Sequence, residues 1–151
     1  MNSLLAENRR SFHDYTILET FVAGLVLTGQ EVKATKNHQI SLKGSFITFS
    51  NNEAYLTNTH ISPYKNAQEI PSYQPDRPRK LLLKRKEIAN LLGKKHAQGL
   101  TIIPLKVFVA KRGLIKVEIA LARGKKMYDK RSDIKKRDSE RKIQRAFSSL
   151  S

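Results

Sequence analysis

The sequence contains no cysteine and no tryptophan among its 151 residues. A chain without thiols cannot form disulfides, thiol nucleophiles, iron–sulfur clusters or cysteine-based zinc sites. Long apolar runs are also missing, because the longest, residues 21–27, is far shorter than the roughly 20 residues of a membrane-spanning helix. Residues 1–10 lack the apolar stretch of a signal peptide. We therefore expect a cytoplasmic protein with no membrane partner.

Acidic residues are scarce in the second half of the chain. Residues 1–78 hold seven basic and seven acidic side chains, whereas residues 79–151 hold 22 basic and six acidic ones, which accounts for the whole net charge of +16. A solvated basic surface would also give a surplus, but such polarisation favours a polyanionic partner. Nucleic acid is the leading candidate, and an anionic membrane is not favoured because the basic tail carries only one short apolar stripe.

The motifs of catalysis and of metal binding are missing as well. The four histidines are scattered without metal-ligand spacing, and no glycine-rich phosphate-binding loop occurs. A small ribonuclease using His13 and His60 as acid and base remains a minor alternative. We expect no catalytic residue, no metal and no cofactor.

Short strands joined by tight turns dominate the predicted structure. Alternating apolar residues predict strands over 12–27 (broken near Ala23-Gly24), 40–50, 53–60, 100–110 and 114–122. Turns are expected at Asn51-Asn52 and at residues 111–113, and helices over 31–36 and 84–92, the latter ending at Gly93. A second short helical piece can follow it as far as Gly99. The fold class is mainly β: a small antiparallel OB-like barrel with two or three short helices.

The two ends of the chain have few apolar residues in a pattern that could pack in a hydrophobic core. We expect a flexible N-terminus over residues 1–7, a barrel over 8–123 and a disordered basic tail over 124–151. Ile143, Ala146, Phe147 and Leu150 are spaced as one face of a helix, which indicates a segment that becomes helical on a partner.

Two basic segments have the composition of RNA-binding surfaces. Residues 77–86 interleave cations with three leucines, which either pack in the core or meet bases. Residues 123–131 combine five cations with Gly124 and Tyr128. Tyr128 either packs on the barrel or stacks on a base, and Asp129 can equally balance neighbouring cations. Because aromatic residues are few, folded RNA fits better than a single strand.

An ordered set of motifs makes the chain resemble the SmpB family, the bacterial SsrA-binding proteins of trans-translation. The matching segments are residues 8–10 (NRR), 13–15 (HDY), 23–24 (AG), 27–33 (LTGQEVK), 60–64 (HISPY), 77–83 (RPRKLLL), 120–131 (ALARGKKMYDKR) and 134–137 (IKKR). The resemblance is collinear and extends from Asn8 to about Arg145.

The resemblance implies an OB-like barrel that binds the tRNA-like domain of transfer-messenger RNA (tmRNA, SsrA RNA) and delivers it to stalled ribosomes. In this family the barrel stands in for an anticodon arm in the decoding centre, and the tail enters the empty mRNA channel as a helix. The expected partners are therefore tmRNA, in a 1:1 complex with a monomer, and the small ribosomal subunit. The alternative is a generic OB-fold protein that binds ribosomal RNA without tmRNA specificity.

Site residues follow from the same resemblance. The implied tmRNA contacts are Glu31, Lys33, Lys80, Leu82 and Lys116. The implied decoding-centre residues are Arg9, Arg10, His13, Gly124, Lys125, Lys126 and Tyr128, and those that aim the tail are Asp129, Lys130 and Arg131. The sequence departs from the family pattern at Val22, where an acidic tmRNA contact is common, and at Gly44, where a polar or acidic residue is usual.

Overall fold

The computed structural model describes residues 3–64 and 72–125. Its strands are β1 (Ser3–Glu7), β2 (Tyr15–Leu25), β3 (Ile40–Ser41), β4 (Phe46–Ser50), β5 (Glu53–Thr57), β6 (His60–Ile61), β7 (Arg79–Leu82), β8 (Thr101–Val109) and β9 (Ile115–Gly124). Its helices are α1 (Ser11–Asp14), α2 (Gly29–Lys36) and α3 (Arg85–Gln98), and a 3₁₀ turn spans Lys111–Gly113.

Seven of these strands form one antiparallel sheet in the order β1-β8-β9-β2-β7-β5-β4, while β3 pairs with β6. The sheet curves so that β4 comes into contact with β8. Its inner face carries the core, in which Ile47, Leu56, Leu81, Val117 and Ile119 have almost no exposed surface. This arrangement confirms the prediction of a mainly β, OB-like antiparallel fold with two or three helices, since the described residues contain three.

The N-terminal segment differs from the prediction of a flexible end over residues 1–7. Ser3–Glu7 form β1, which pairs with β8 from Ser3 opposite Val109 to Glu7 opposite Lys106. Leu5 is buried in the main core cluster. The prediction was wrong for these residues because pairing with β8 satisfies the backbone and buries Leu5, which the sparse apolar pattern did not reveal.

The hairpin turns were predicted correctly. Asn51 and Asn52 join β4 to β5 with φ values of 50° and 62°, which asparagine tolerates well. Arg112 and Gly113, at φ 64° and 73°, reverse the chain between β8 and β9. The two long strands that flank this second turn, β8 and β9, pair with each other from Thr101 opposite Ala122 to Val109 opposite Ile115.

Three boundaries fall elsewhere than expected. Strand β2 is continuous through Gly24 rather than broken there, and Phe12 lies in the single turn of α1 instead of a strand. Helix α3 continues past Gly93 and ends at Gly99, which takes the left-handed conformation (φ 62°) that terminates helices. The helix is anchored through its first half, where Ile88 and Leu91 are buried.

Within residues 3–64 and 72–125, no helix is long and apolar enough to cross a bilayer.

Candidate nucleic-acid interface

Three neighbouring strands place two of the predicted RNA contacts in one row. Gly24 on β2 lies opposite Lys116 on β9 and opposite Leu82 on β7. Residues that face each other on adjacent antiparallel strands project from the same side of a sheet. Leu82 is 59% exposed, and Lys116 is partly exposed. The side chains of Lys116 and Leu82 therefore share the solvent side of the sheet, on either side of a glycine.

The glycine brings the leucine close to the strand surface. A Cβ atom at position 24 would lie 3.2 Å from Cδ1 of Leu82 and 3.3 Å from its Cβ. Leu82 thus rests over the bare backbone of Gly24, and a larger residue at that position would displace it.

Lys80 completes this surface, since it precedes Leu82 by two residues and projects from the same face. We call the surface the outer face, and it comprises Val22, Gly24, Val26, Lys80, Leu82, Lys116 and Glu118. The Lys80 Nζ lies 3.6 Å from Oε1 of Glu53, and both side chains are about two-fifths exposed. Such a pair is weak in water, so Lys80 remains available to a phosphate. Cations beside exposed apolar side chains suit a nucleic acid backbone and its riboses or bases.

Val22, the departure from the family pattern, lies on this face and is 48% exposed. It is in register with Glu118 on β9. A carboxylate is therefore still present beside this position, one strand away.

Glu31 does not lie on the surface, which corrects the expectation that it contacts RNA. Its side chain is 1% exposed and accepts hydrogen bonds from Arg79 Nη2 at 2.6 Å and Arg79 Nε at 2.8 Å. Arg77 donates to the same carboxylate, from Nε at 3.1 Å and from Nη2. A carboxylate closed off by two guanidinium groups has no free face for a nucleotide, so Glu31 acts from the interior.

The buried ion pair extends into a network. Arg79, which has no exposed surface, also donates to the Thr59 carbonyl at 2.6 Å and to the Tyr73 hydroxyl at 3.2 Å. Burial by itself would raise the pKa of the Glu31 carboxyl, but the hydrogen bonds from Arg77, the Thr28 backbone and Arg79 outweigh it and lower the pKa to about 2. Burial and the charge of Glu31 raise the pKa of Tyr73. The network therefore holds an ionised carboxylate between α2 and β7.

Glu31 also caps the first turn of helix α2. The Thr28 hydroxyl accepts from the Glu31 backbone N–H at 3.2 Å, and the Glu31 carboxylate accepts from the Thr28 N–H at 3.0 Å, which is a capping box. Lys33, two residues on, is exposed, and its Nζ lies 5.9 Å from the ring centre of Tyr64. Because Arg79 precedes Lys80 on β7, the network ties the helix that carries Lys33 to the strand that carries Lys80.

A second basic surface forms where the described chain ends. Gly124 pairs with Tyr15, the Lys125 backbone N–H donates to the Asp14 carbonyl at 2.9 Å, and the Lys125 Nζ donates to the Phe12 carbonyl at 3.0 Å. We call this the α1 surface, and it comprises Arg9, Arg10, Phe12, His13, Gly124 and Lys125. It brings together the predicted decoding-centre residues that the structure describes. Lys126, Tyr128, Asp129, Lys130 and Arg131 lie outside the described residues.

Sequence reasoning missed one member of the α1 surface. Phe12 is 55% exposed although its strand-like context placed it in the core. A four-residue helix has too few turns to show a helical periodicity, so the only signal was the pair of arginines just before it.

The two histidines of the ribonuclease alternative each have a carboxylate partner of their own. His13 Nδ1 lies 3.1 Å from Oδ1 of Asp14, and His60 Nδ1 lies 3.0 Å from Oδ1 of Asp76. Among the described residues, no group of three or more His, Cys, Asp or Glu side chains has an arrangement that could hold a metal ion.

Comparison with known proteins agrees with this geometry. The family model described as SmpB protein matches residues 5–149. The SsrA-binding protein of Thermosipho africanus is 51% identical over 140 residues, covering 93% of both chains. That of Trichodesmium erythraeum is 47% identical over 144 residues, covering 95% of this chain and 92% of the relative.

A solved structure is similar in fold as well. A chain from the structure described as "tmRNA-SmpB: a journey to the center of the bacterial ribosome" matches with a TM-score of 0.66 and 47% identity, covering 80% of this chain and 84% of that one. An OB-like sheet with a basic outer face, a family model matched over nearly the whole length and relatives of about 50% identity together place this chain in the SmpB family.

Proposed function

We propose that this protein binds the tRNA-like domain of tmRNA and delivers it to stalled ribosomes for trans-translation. The observation that carries the proposal is the outer face, where Lys80, Leu82 and Lys116 stand together on one exposed side of the sheet. The names of the relatives and of the solved complex support tmRNA as the polyanion that this face recognises.

The two surfaces divide the task. The outer face, with Lys33 on α2 beside it, holds tmRNA through phosphates and through apolar contact at Leu82. The α1 surface, with Arg9, Arg10, His13, Gly124 and Lys125, faces the ribosomal decoding centre. The barrel then stands in the place of an anticodon arm.

The C-terminal tail acts beyond the barrel. In this proposal residues 124–151 leave the α1 surface and enter the empty mRNA channel as a helix, with Lys126 and Tyr128 contacting the decoding centre. Asp129, Lys130 and Arg131 set the direction in which the tail leaves. The clasp between Lys125 and α1 supports this, because it fixes the point where the tail begins.

Binding, rather than catalysis, is the proposed activity. One monomer binds one tmRNA in the cytoplasm and presents it to the ribosome, and no catalytic residue or cofactor is assigned.

The outer face is tested by replacing two of its lysines. Lys80→Ala with Lys116→Ala should weaken binding of the labelled tRNA-like domain about 30-fold, since each charge-assisted contact contributes about 1 kcal/mol. The double variant should also make the log–log salt dependence shallower, by roughly 0.7 to 0.9 for each lost phosphate contact.

A charge-matched control separates this face from the general basic surface. Lys43→Ala with Lys111→Ala removes two exposed lysines that lie off the outer face and should change the affinity by about threefold or less. Equal losses from both double variants would contradict the proposal.

A further inference from the structure

A groove of about 600 Å³ opens beside the outer face. One wall is the tip of the β4–β5 hairpin, the second is the end of β7, and the third is the first half of α3. This volume lies within the usual range of small-ligand sites. Lys80 and Leu82 belong both to the groove and to the outer face, so the two surfaces are continuous.

The groove has polar and apolar surface in about equal parts, and its apolar side chains lie on two walls. Leu82 and Leu83 line it from the strand side, and Ile88, Ala89 and Leu92 line it from α3. Ile88 is buried while Ala89 and Leu82 are exposed, so the walls are open to solvent. Exposed apolar side chains of this kind suit the face of a nucleobase better than a hydrated phosphate.

The rim of the groove is polar and cationic. Arg85 is exposed at the start of α3, and Lys80 forms a weak pair with Glu53, whose carboxylate also lines the groove. Asn51 and Asn52 are exposed at the hairpin tip and offer amide groups, each with donors and an acceptor. A phosphate on Lys80 and Arg85 would replace the Glu53 carboxylate as the partner of Lys80.

We propose that this groove receives one unstacked nucleotide of the bound tmRNA, with its base between Leu82 and α3 and its phosphate on Lys80 and Arg85. The inference rests on the proposed function, since RNA on the outer face already passes the mouth of the groove. Unstacked loop nucleotides are the parts of a folded RNA that protein pockets accept.

Filling the groove tests the inference without removing any charge or core residue. Ala89→Trp places an indole between the walls, and Ala97→Trp adds the same side chain to an exposed position on α3 that does not line the groove. We expect Ala89→Trp to weaken binding of the labelled tRNA-like domain about tenfold or more, and Ala97→Trp to leave it within about twofold. Circular dichroism melting should give both variants the stability of the parent.

Chemical probing of the RNA gives a second readout. In the parent complex one unpaired base should be protected from base-modifying reagents. That protection should be lost with Ala89→Trp, while the backbone protections from hydroxyl radicals persist. Unchanged or tighter binding by Ala89→Trp, or a complex without such a base, would overturn the inference while tmRNA binding by the parent stands. Failure of the parent itself to bind tmRNA would instead overturn the proposed function.

Discussion

Arg79 is a charged residue buried at the start of β7, where α2 meets the sheet. Its guanidinium has no exposed surface and is satisfied by Glu31, the Thr59 carbonyl and the Tyr73 hydroxyl. A buried charge without partners costs several kcal/mol, so each of these acceptors matters to the fold. The same arginine ties α2 to β7, and so links the helix that carries Lys33 to the strand that carries Lys80.

Removing the charge of Glu31 should destabilise the protein in a pH-dependent way. Glu31→Gln leaves Arg79 with a neutral acceptor, and we expect the free energy of unfolding at pH 7 to fall by about 3 kcal/mol. The folded pKa of Glu31 is about 2 against an ordinary 4.5, so its stabilisation is complete above pH 4.5 and is lost as the pH falls toward 2. The difference between the variant and the parent, measured by urea unfolding, should therefore shrink steadily over that interval.

Glu53→Gln is the matched control, because Glu53 belongs to an exposed pair. It should change the unfolding free energy by less than about 1 kcal/mol at either pH. A Glu31→Gln variant as stable as the parent at pH 7, or a difference that persists at pH 2, would contradict the buried network.

For the basic segment over residues 77–86, the sequence predicted the charge but not which side chains face inward. Its surplus of cations was evident from composition. The separation of Arg79 inside from Lys80 outside was not, because it follows from the period of two of a strand whose limits became known only in the structure. Glu31 was likewise placed on the surface, since its two arginine partners lie 46 and 48 residues away in the chain.

At the scale of elements, the junction of α1 with the end of β9 determines where the barrel stops. Two hydrogen bonds from Lys125 reach back to the carbonyls of Phe12 and Asp14. The barrel is therefore closed at this corner by Lys125, two residues beyond the limit of 123 that the apolar pattern predicted.

A chain that ends at Lys125 tests the division into barrel and tail. It keeps the described strands and the Lys125 clasp, so we expect cooperative unfolding and an affinity for the tRNA-like domain within about fivefold of the full chain. Tagging of stalled peptides in reconstituted translation should be abolished.

Two results would contradict the division into barrel and tail. A shortened chain that does not fold would make residues 126–151 part of the core, and one that still supports tagging would contradict the role proposed for the tail.

The β8–β9 hairpin was the element most open to prediction, because its alternation is long and its turn contains glycine. Helix α1 was hidden in a run of aromatic and β-branched residues, and β1 acquires its structure only through pairing with distant β8. Local patterns therefore specified the hairpins, whereas contacts between distant segments decided the ends.

At the scale of the whole molecule, cations from both halves of the chain gather on two surfaces of the described residues. Lys80, Leu82 and Lys116 form the outer face, while Arg9, Arg10 and Lys125 gather at the α1 surface. A protein with two such surfaces can join two RNA molecules, as a factor that carries tmRNA into a ribosome must.

Competition binding tests most directly whether this chain binds tmRNA in preference to other folded RNA. Labelled tRNA-like domain of tmRNA is bound to the full chain near physiological salt and displaced by unlabelled tmRNA domain or by an elongator tRNA. If this chain recognises tmRNA specifically, the tRNA competes at least about tenfold more weakly than the tmRNA domain, which corresponds to about 1.4 kcal/mol of discrimination. Equal competition by the two RNAs would contradict it.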